Sequence, residues 1–165
     1  MSSSTAETLT AAVLTVSDSS ARGQRADLSG PAVVEALRKR GFAVVHTEIA
    51  PDEQPAIQNA ITRLAAVARL VVTTGGTGIA ERDVTPEATR AVCDRLLEGV
   101  AERMRSEGAR KTPFAVLSRG VCGVRGKSVI LNLPGSPAGA IESLEAVIGL
   151  LPHALQLLSG NTEHP

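Results

Sequence analysis

The sequence predicts an α/β fold whose sheet is mostly parallel with one antiparallel strand. Along the first half of the chain, aliphatic and β-branched runs alternate with amphipathic helical patterns, which is typical of parallel strands joined by right-handed crossovers. Residues 11–14 are apolar at every position, as a strand covered by helices on both faces requires. Two strand-like segments flank residues 122–126. They predict a hairpin, so that one strand runs against the others.

The predicted elements follow in order, and helix starts carry a capping residue. Ser136 is a predicted N-cap before Pro137, Thr85 is one before Pro86, and Asp52 caps the helix whose core stripe includes residues 57–64. The strands are predicted at residues 9–16, 42–49, 70–74, 116–121 and 127–133. Three helices are predicted to begin at Ser29, directly after Asp52 and at Pro137. Three more are predicted to span residues 86–97, 98–108 and 153–159.

Composition narrows the class of function. The chain of 165 residues is 43% hydrophobic and 21% charged, which is ordinary for one globular domain. It has two Phe, no Trp and no Tyr, so it lacks the aromatic platforms on which single-stranded nucleic acids stack. The formal net charge is zero, so no strong field attracts nucleic acid or an anionic membrane. Any phosphate binding must come from local loops.

The ends and the cysteines bear on location. We predict a single domain over residues 9–160, a disordered segment at residues 1–8 and a C-terminal tail at residues 161–165. The N-terminus has no basic and apolar signal pattern, and no apolar run approaches membrane-spanning length. Cys93 and Cys122 have no metal-ligand spacing and are interpreted as buried thiols in a reducing compartment. We therefore expect a cytoplasmic protein with no membrane partner.

The central stretch is a strand that runs into a glycine loop. Residues 70–74 are followed by three glycines among residues 75–78, then by Asp83 and a helix start. Glycines let the backbone approach a ligand closely, and a helix N-terminus favours an anion. A plain strand-to-helix turn would have the same composition. The stretch matches neither the dinucleotide fingerprint nor the P-loop, because it lacks the third glycine of the first and the lysine of the second.

Four predicted loops follow strands, namely residues 17–23, 51–54, 75–83 and 134–136. In a doubly wound sheet such loops meet at the carboxyl edge, where ligands bind. Asp52 and Asp83 fall on this edge, and carboxylates beside a phosphate site suit Mg²⁺. The residues by themselves thus predict a protein that binds a phosphorylated ligand, such as a nucleotide.

Several motifs together resemble one family. They are TVSDS at residues 15–19, SGP at 29–31, PDE at 51–53, GGTG at 75–78, RDVTPEA at 82–88, LSR at 117–119 and LPGSP at 133–137. In this order and spacing they are similar to the Mog/MoaB family of molybdenum cofactor biosynthesis, which includes the gephyrin G domain. The resemblance covers residues 9–160 and implies the three-layer α/β/α molybdopterin-binding fold, assembled as a homotrimer.

The resemblance also implies an enzyme and its site. The implied activity is that of a molybdopterin adenylyltransferase, which uses ATP, molybdopterin and Mg²⁺ and releases pyrophosphate. Asp52 and Asp83 would be the catalytic and metal-binding acids. The remaining implied ligand-binding residues are Ser17, Asp18, Gly75, Gly76, Thr77, Gly78, Pro134, Gly135 and Ser136.

Three points stay open at this stage. Arg22 or Arg25 would supply the charge that the family often carries where this chain has Ser19, and Arg82, Arg119 or Lys127 would clamp phosphate. Adenine is expected to lie against aliphatic side chains and glycine backbone, because Phe42 is predicted at the opposite sheet edge. Phe114 follows Thr112 and Pro113 and could approach the site, but core packing is the favoured use. We also expect no Ser–His pair, since the attacking phosphate is already ionised.

Alternatives to this enzyme remain. One is a catalytically silent family member that binds molybdopterin, and another is a general nucleotide or phosphate binder on the same fold. Molybdate insertion is less favoured, because relatives that insert the metal carry further domains for which 165 residues leave no room. The molybdenum-insertion protein of the same pathway is a candidate partner.

Overall fold

Six strands form one mixed sheet in the computed structural model, which describes residues 8–162. The strands are β1 (Thr10–Val16), β2 (Ala43–Ala50), β3 (Leu70–Thr74), β4 (Arg95–Leu96), β5 (Cys122–Arg125) and β6 (Ser128–Leu133). Their spatial order is β2-β1-β3-β6-β5-β4. The first four of these pair in parallel, and β5 runs antiparallel to both of its neighbours, so the predicted mixed sheet is confirmed.

Helices cover both faces of the sheet. They are α1 (Asp18–Ala21), α2 (Ser29–Lys39), α3 (Gln54–Val67), α4 (Thr85–Val92), α5 (Glu98–Ala109), α6 (Pro137–Val147) and α7 (Leu151–Leu158). Two 3-10 helices, Pro113–Leu117 and Ile148–Leu150, complete the set in the described chain.

The strands alternate their side chains between two apolar cores. On β1, Val13 packs in the core shared with α2, α5, α6 and α7, whereas Leu14 packs in the core shared with α3 and α4. On β3, Val72 packs in the first of these cores and Val71 in the second. This period of two is the pleat of a strand buried on both faces. The three-layer α/β/α architecture is therefore confirmed.

The second half of the chain departs from the prediction at three places. The helix predicted at residues 86–97 ends at Val92, because the chain then pairs with β5 through Asp94 N–H to Val124 O at 2.7 Å. The strand predicted at residues 116–121 is wrong, since the 3-10 helix occupies residues 113–117. The hairpin turn is Gly126 and Lys127 rather than residues 122–126, with Gly126 at φ +58°.

Local capping was predicted correctly only where the partner is close in sequence. Ser136 is the N-cap of α6 and accepts the Gly139 N–H at 3.1 Å, as predicted. Asp52 is not a cap, because Glu53 takes the N-cap position of α3. Thr85 is the first helical residue of α4, whose N-cap is Val84. The loop predicted at residues 17–23 contains the short helix α1.

The C-terminal helical run is apolar along its length. Pro137–Leu158 spans 22 residues with a mean hydropathy of 1.3, which is long and apolar enough to cross a membrane by length and composition alone. Leu144, Leu151 and Leu155 of this run pack in the core against the sheet, and Ile148–Leu150 interrupts it with a 3-10 turn. We interpret it as a pair of core helices. The predicted N-terminal segment and tail lie, apart from residues 8, 161 and 162, outside the described residues.

Leu144→Ala should lower the free energy of unfolding by about 2–5 kcal/mol, because Leu144 is fully buried where α6 meets the sheet. Leu150→Ala is the matched control, since Leu150 is 50% exposed on the following turn, and it should cost less than about 1 kcal/mol. Urea unfolding of both variants measures the difference. Equal losses would contradict the assignment of this helix to the core.

Candidate active site

Four loops meet at the carboxyl ends of β1, β2, β3 and β6. The chain leaves β1 for β2 on one side, while β3 lies on the other side of β1, so a crevice opens at this switch point. A cavity of about 430 Å³ occupies it. Residues from all four predicted loops line this first cavity, among them Ser17, Asp52, Gly75, Gly76, Gly135 and Ser136.

The turn after β3 requires glycine at two positions. Gly75 and Gly76 have φ of +103° and +69°, which is the left-handed region that favours glycine. A Cβ at Gly75 would collide with the carbonyl oxygen of Val16, and one at Gly76 would collide with the hydroxyl of Thr85. The backbone thus passes as close to β1 and α4 as it can.

This turn presents free donors. Within residues 8–162, the backbone N–H groups of Gly76, Thr77 and Gly78 donate to no protein acceptor. Consecutive unpaired amides in such a turn form a concavity that binds anions. All three residues line a cavity: Gly76 borders the first, and all three border a second. The glycine loop therefore leaves three consecutive N–H groups available at the cavities, which is the arrangement that anion-binding turns have.

Asp52 and Asp18 hold each other through the backbone. The Asp18 N–H donates to Asp52 Oδ2 and the Asp52 N–H donates to Asp18 Oδ1, each at 2.9 Å. Arg82 donates to both oxygens of Asp18, at 2.6 and 3.0 Å. Asp18 is thus engaged with the protein, and in this conformation it supports Asp52 rather than facing the cavity. Asp52 keeps its second oxygen, Oδ1, beside Gly76.

The pKa values of the two carboxyl groups are shifted in opposite directions. Hydrogen bonds from the Arg82 guanidinium hold the pKa of Asp18 below its usual value. Burial raises the pKa of Asp52, and the neighbouring charges of Asp18 and Asp83 raise it further. Negative charge at Asp52 is therefore costly until a cation lies beside it.

Asp83 lies on the wall between the two cavities and lines both. Its Oδ2 accepts the Ala80 N–H at 3.0 Å, which closes the loop that follows the glycines. A Cβ at Gly78 would come within 2.8 Å of the same oxygen. One carboxylate therefore shapes the loop while it faces the space where a ligand would lie.

Arg119 ties this loop to α4. Its guanidinium donates to Gly78 O at 2.8 Å, to Asp83 O at 2.7 Å and to both oxygens of Glu87 at 2.9 Å. It is therefore a clamp on the protein itself rather than a free phosphate ligand. Lys127 sits in the β5–β6 turn at the opposite edge of the sheet, so the proposal that it clamps phosphate is wrong.

A second, more apolar cavity of about 550 Å³ adjoins the first. The two share Gly76, Asp83, Gly135 and Ser136 as a common wall. Thr77, Gly78 and Pro134 face only the second. Side chains that line its far part include Ile79, Met104, Leu117 and Phe114.

Phe114 was predicted in the core, and that prediction is wrong. Its ring is 75% exposed at the rim of the second cavity, because the 3-10 helix that carries it has no buried residue. Phe42 is buried at the opposite edge, as predicted. The site therefore has one aromatic ring within the described chain.

Several lining residues were not predicted. Thr15 and Asp27 face the first cavity, joined by a hydrogen bond of 2.7 Å, and Asn132 faces the second. Arg25 lines the first cavity, whereas Arg22 ends α1. Arg25 is therefore the better candidate for the positive charge that the family often carries at the position of Ser19. A polar Asn132 within the apolar run of β6 was a signal available in the sequence.

The fold and this edge define a class of α/β domain that binds an anionic ligand at the switch point of its sheet. The family model described as "Probable molybdopterin binding domain" matches residues 12–153. The chain belongs to this family of molybdenum cofactor biosynthesis proteins.

Individual relatives cover nearly the whole chain. It is 42% identical over 159 residues to the molybdopterin adenylyltransferase of Helicobacter pylori J99, covering 94% of this chain and 90% of the relative. It is 38% identical over 169 residues to the enzyme of that name in Escherichia coli K12, covering 93% and 87%. The crystal structure of the molybdopterin biosynthesis enzyme MoaB from Thermus thermophilus superposes with a TM-score of 0.87 at 52% identity, covering 92% and 97%.

Glu87→Gln should lower stability at neutral pH but not in acid. Arg119 holds the pKa of Glu87 below its usual 4.5, so this stabilisation is present above that value and is lost as the pH falls through the lowered pKa. Since both side chains are about 40% exposed, we expect a loss of about 0.2–1 kcal/mol at pH 7. Urea unfolding at pH 7 and pH 3 measures it. Glu107→Gln, at an exposed pair with Arg110, is the control. A loss of equal size at both pH values would argue against the charge pairing.

Proposed function

We propose that the protein is a molybdopterin adenylyltransferase, which joins the adenylyl group of ATP to the phosphate of molybdopterin and releases pyrophosphate. One observation carries the proposal. The free amides of Gly76, Thr77 and Gly78 lie beside Asp83, where two cavities share a wall. Relatives with that activity in their names, about 40% identical over most of the chain, support it.

The reaction needs alignment more than acid–base chemistry. A phosphate oxygen of molybdopterin forms a bond to the α-phosphorus of ATP, and the bond from that phosphorus to the β-phosphate oxygen breaks. The attacking oxygen is already ionised, so no base is required, and no His is among the described residues that line the two cavities. The loop amides would orient the phosphates and neutralise developing charge.

Mg²⁺ is the proposed metal, and the residues fit it in part. No cluster of three or more His, Cys, Asp or Glu side chains forms a metal site within residues 8–162. Mg²⁺ characteristically takes one or two carboxylates plus phosphate oxygens and water, which matches Asp52 and Asp83 at the first cavity. The raised pKa of Asp52 fits a carboxylate that gains from a cation. When bound, the metal would neutralise phosphate charge.

The two cavities suit the two substrates. The first carries hydroxyls, carboxylates and Arg25, which match the many hydrogen-bonding groups of a pterin. The second carries Phe114, Ile79 and Met104, which suit an adenine ring. We therefore propose adenosine in the second cavity and the pterin in the first, with the phosphates meeting at the shared wall. This replaces the expectation that adenine meets only aliphatic side chains.

Assembly, partner and location are also proposals. A homotrimer and hand-over to a molybdenum-insertion protein follow from the family resemblance, whereas a cytoplasmic location follows from the cysteines and the N-terminal sequence pattern. Exposed Val67, Val116 and Leu150 are available for an aliphatic contact between subunits. Cys93 and Cys122 are free thiols, half-buried and buried, and burial raises their pKa values to about 11 and about 12. Such inert thiols suit a reducing compartment.

The direct test incubates the purified protein with molybdopterin, ATP and Mg²⁺ and follows adenylyl-molybdopterin and pyrophosphate. Formation of both products in equal amounts supports the enzyme. Tight binding of molybdopterin with no product at any ATP concentration would favour the catalytically silent family member instead.

Asp52→Asn and Asp83→Asn should each lower turnover by about a hundredfold or more. Either amide can still accept the backbone N–H that the aspartate accepts now, so the free energy of unfolding should change by less than about 1 kcal/mol. Steady-state kinetics and urea unfolding are measured on the same preparations. A folded variant with near-normal turnover would remove that residue from the proposed chemistry.

Phe114→Ala should weaken ATP binding by about 1–3 kcal/mol, the usual value of one base stacked on an aromatic ring. Phe114 is largely exposed, so the fold should be unaffected. Phe114→Leu, which keeps apolar area without the ring, should give an intermediate value. Calorimetric titration with ATP measures all three proteins. An unchanged affinity for ATP together with weaker binding of molybdopterin would reverse the assignment of the cavities.

A further inference from the structure

One set of buried hydrogen bonds connects the middle of the sheet to the backbone of Thr85, and a second set connects Thr85 to the glycine turn. Asn132 on β6 donates through Nδ2 to Thr73 Oγ1 and to Thr89 Oγ1, each at 3.0 Å. Thr89 Oγ1 donates to Thr85 O at 2.8 Å, and Thr85 Oγ1 donates to Gly75 O at 2.9 Å. The four side chains are all at most 1% exposed.

The hydrogen bonds that start at Asn132 each have a fixed donor and acceptor. The Asn132 amide group uses both of its hydrogens on threonine oxygens, and its Oδ1 accepts the Val121 N–H at 3.1 Å. A hydroxyl has only one hydrogen, so Thr89, having accepted from Asn132, directs its own hydrogen to Thr85. Buried groups of this kind are costly to leave unpaired, so the network specifies one arrangement.

Thr85 holds both glycines of the turn. Its hydroxyl donates to Gly75 O at 2.9 Å and its backbone N–H donates to Gly76 O at 3.1 Å. A carbonyl oxygen and the N–H of the next residue belong to one rigid peptide plane. Fixing the Gly75 and Gly76 carbonyls therefore fixes the direction of the Gly76 and Thr77 N–H groups, which are two of the three free donors.

We propose that Thr85 and Asn132 are positioning residues that aim the phosphate-binding amides, and that Thr85 does so through its hydroxyl rather than as a helix cap. Asn132 also lines the second cavity, and its amide reaches the backbone of Thr85 through the hydroxyl of Thr89. The proposal rests on the proposed function for the identity of the ligand, but the orientation of the turn is a property of the ligand-free protein.

The test compares two buried hydroxyls in the same fold. Thr85→Val keeps the side-chain shape and removes the bond to Gly75, whereas Thr85→Ser keeps the bond. Ser128→Ala is the matched control, because Ser128 is 4% exposed and donates to Ala65 O and Ala68 O at the far edge of the sheet. Thr85→Val and Ser128→Ala should both lower the melting temperature, because each removes a buried hydrogen bond. Only Thr85→Val should change ligand binding.

The expected result is an increase in Kd for ATP of about tenfold or more in Thr85→Val, little change in Thr85→Ser, and none in Ser128→Ala. Ligand-free NMR spectra should show shifted Gly76 and Thr77 amide resonances in Thr85→Val alone. Wild-type affinity for ATP in Thr85→Val, or equal loss in Ser128→Ala, would overturn the proposal.

Two outcomes separate this proposal from the function on which it rests. If the wild-type protein binds no ATP, the proposed function fails, while the ligand-free amide shifts still decide the role of Thr85. If Thr85→Val does not fold, Thr89→Val is the second variant. It removes the hydrogen bond from the Thr89 hydroxyl to Thr85 O and leaves both bonds from Thr85 to the glycines. It should raise the Kd for ATP by a smaller factor, and an unchanged Kd and spectrum would overturn the role of the network.

Discussion

The site depends on a turn in which two successive glycines adopt positive φ between β3 and the loop to α4. Within the part of the chain that the structure describes, this conformation leaves the next three amides without protein partners, which is stable only where solvent or a ligand can meet them. Neighbouring backbone blocks any side chain at Gly75, and Thr85 blocks one at Gly76. The turn is thus enforced by sterics on one side and by hydrogen bonds on the other.

The acidic side chains around the turn are only partly neutralised by the protein, so a bound cation would stabilise them. Asp18 is satisfied by Arg82, whereas Asp52 is partly buried with a second acid nearby and a raised pKa. Arg119 is committed to the loop backbone and Glu87, whereas Arg25 lines the first cavity together with Asp27, Asp52 and Asp83. The protein alone therefore leaves acidic charge only partly compensated at the cavity. This is the state expected of a site that binds phosphate together with a divalent cation.

The sequence predicted a mostly parallel sheet covered on both faces, the alternation of strands and helices in the first half and the edge where the loops meet, because those follow from periodicity and connection rules. Ser136 was interpreted correctly since its partner, Gly139, lies three residues away. For Asp52 and Thr85 the sequence predicts caps, but their partners lie 34 and 10 residues away, and no local pattern encodes that. Phe114 was assigned to the core on its residue type, whereas its exposure depends on the tight 3-10 turn that carries it.

If the amides of Gly76, Thr77 and Gly78 receive the phosphates, ATP must change their environment directly. A titration of isotope-labelled protein with ATP and Mg²⁺, followed by amide chemical shifts in ¹⁵N–¹H spectra, measures this. We expect these three resonances to move furthest, downfield, as N–H groups do when they gain a charged acceptor. Saturable binding of ATP that leaves the three resonances in place and shifts amides elsewhere would contradict it.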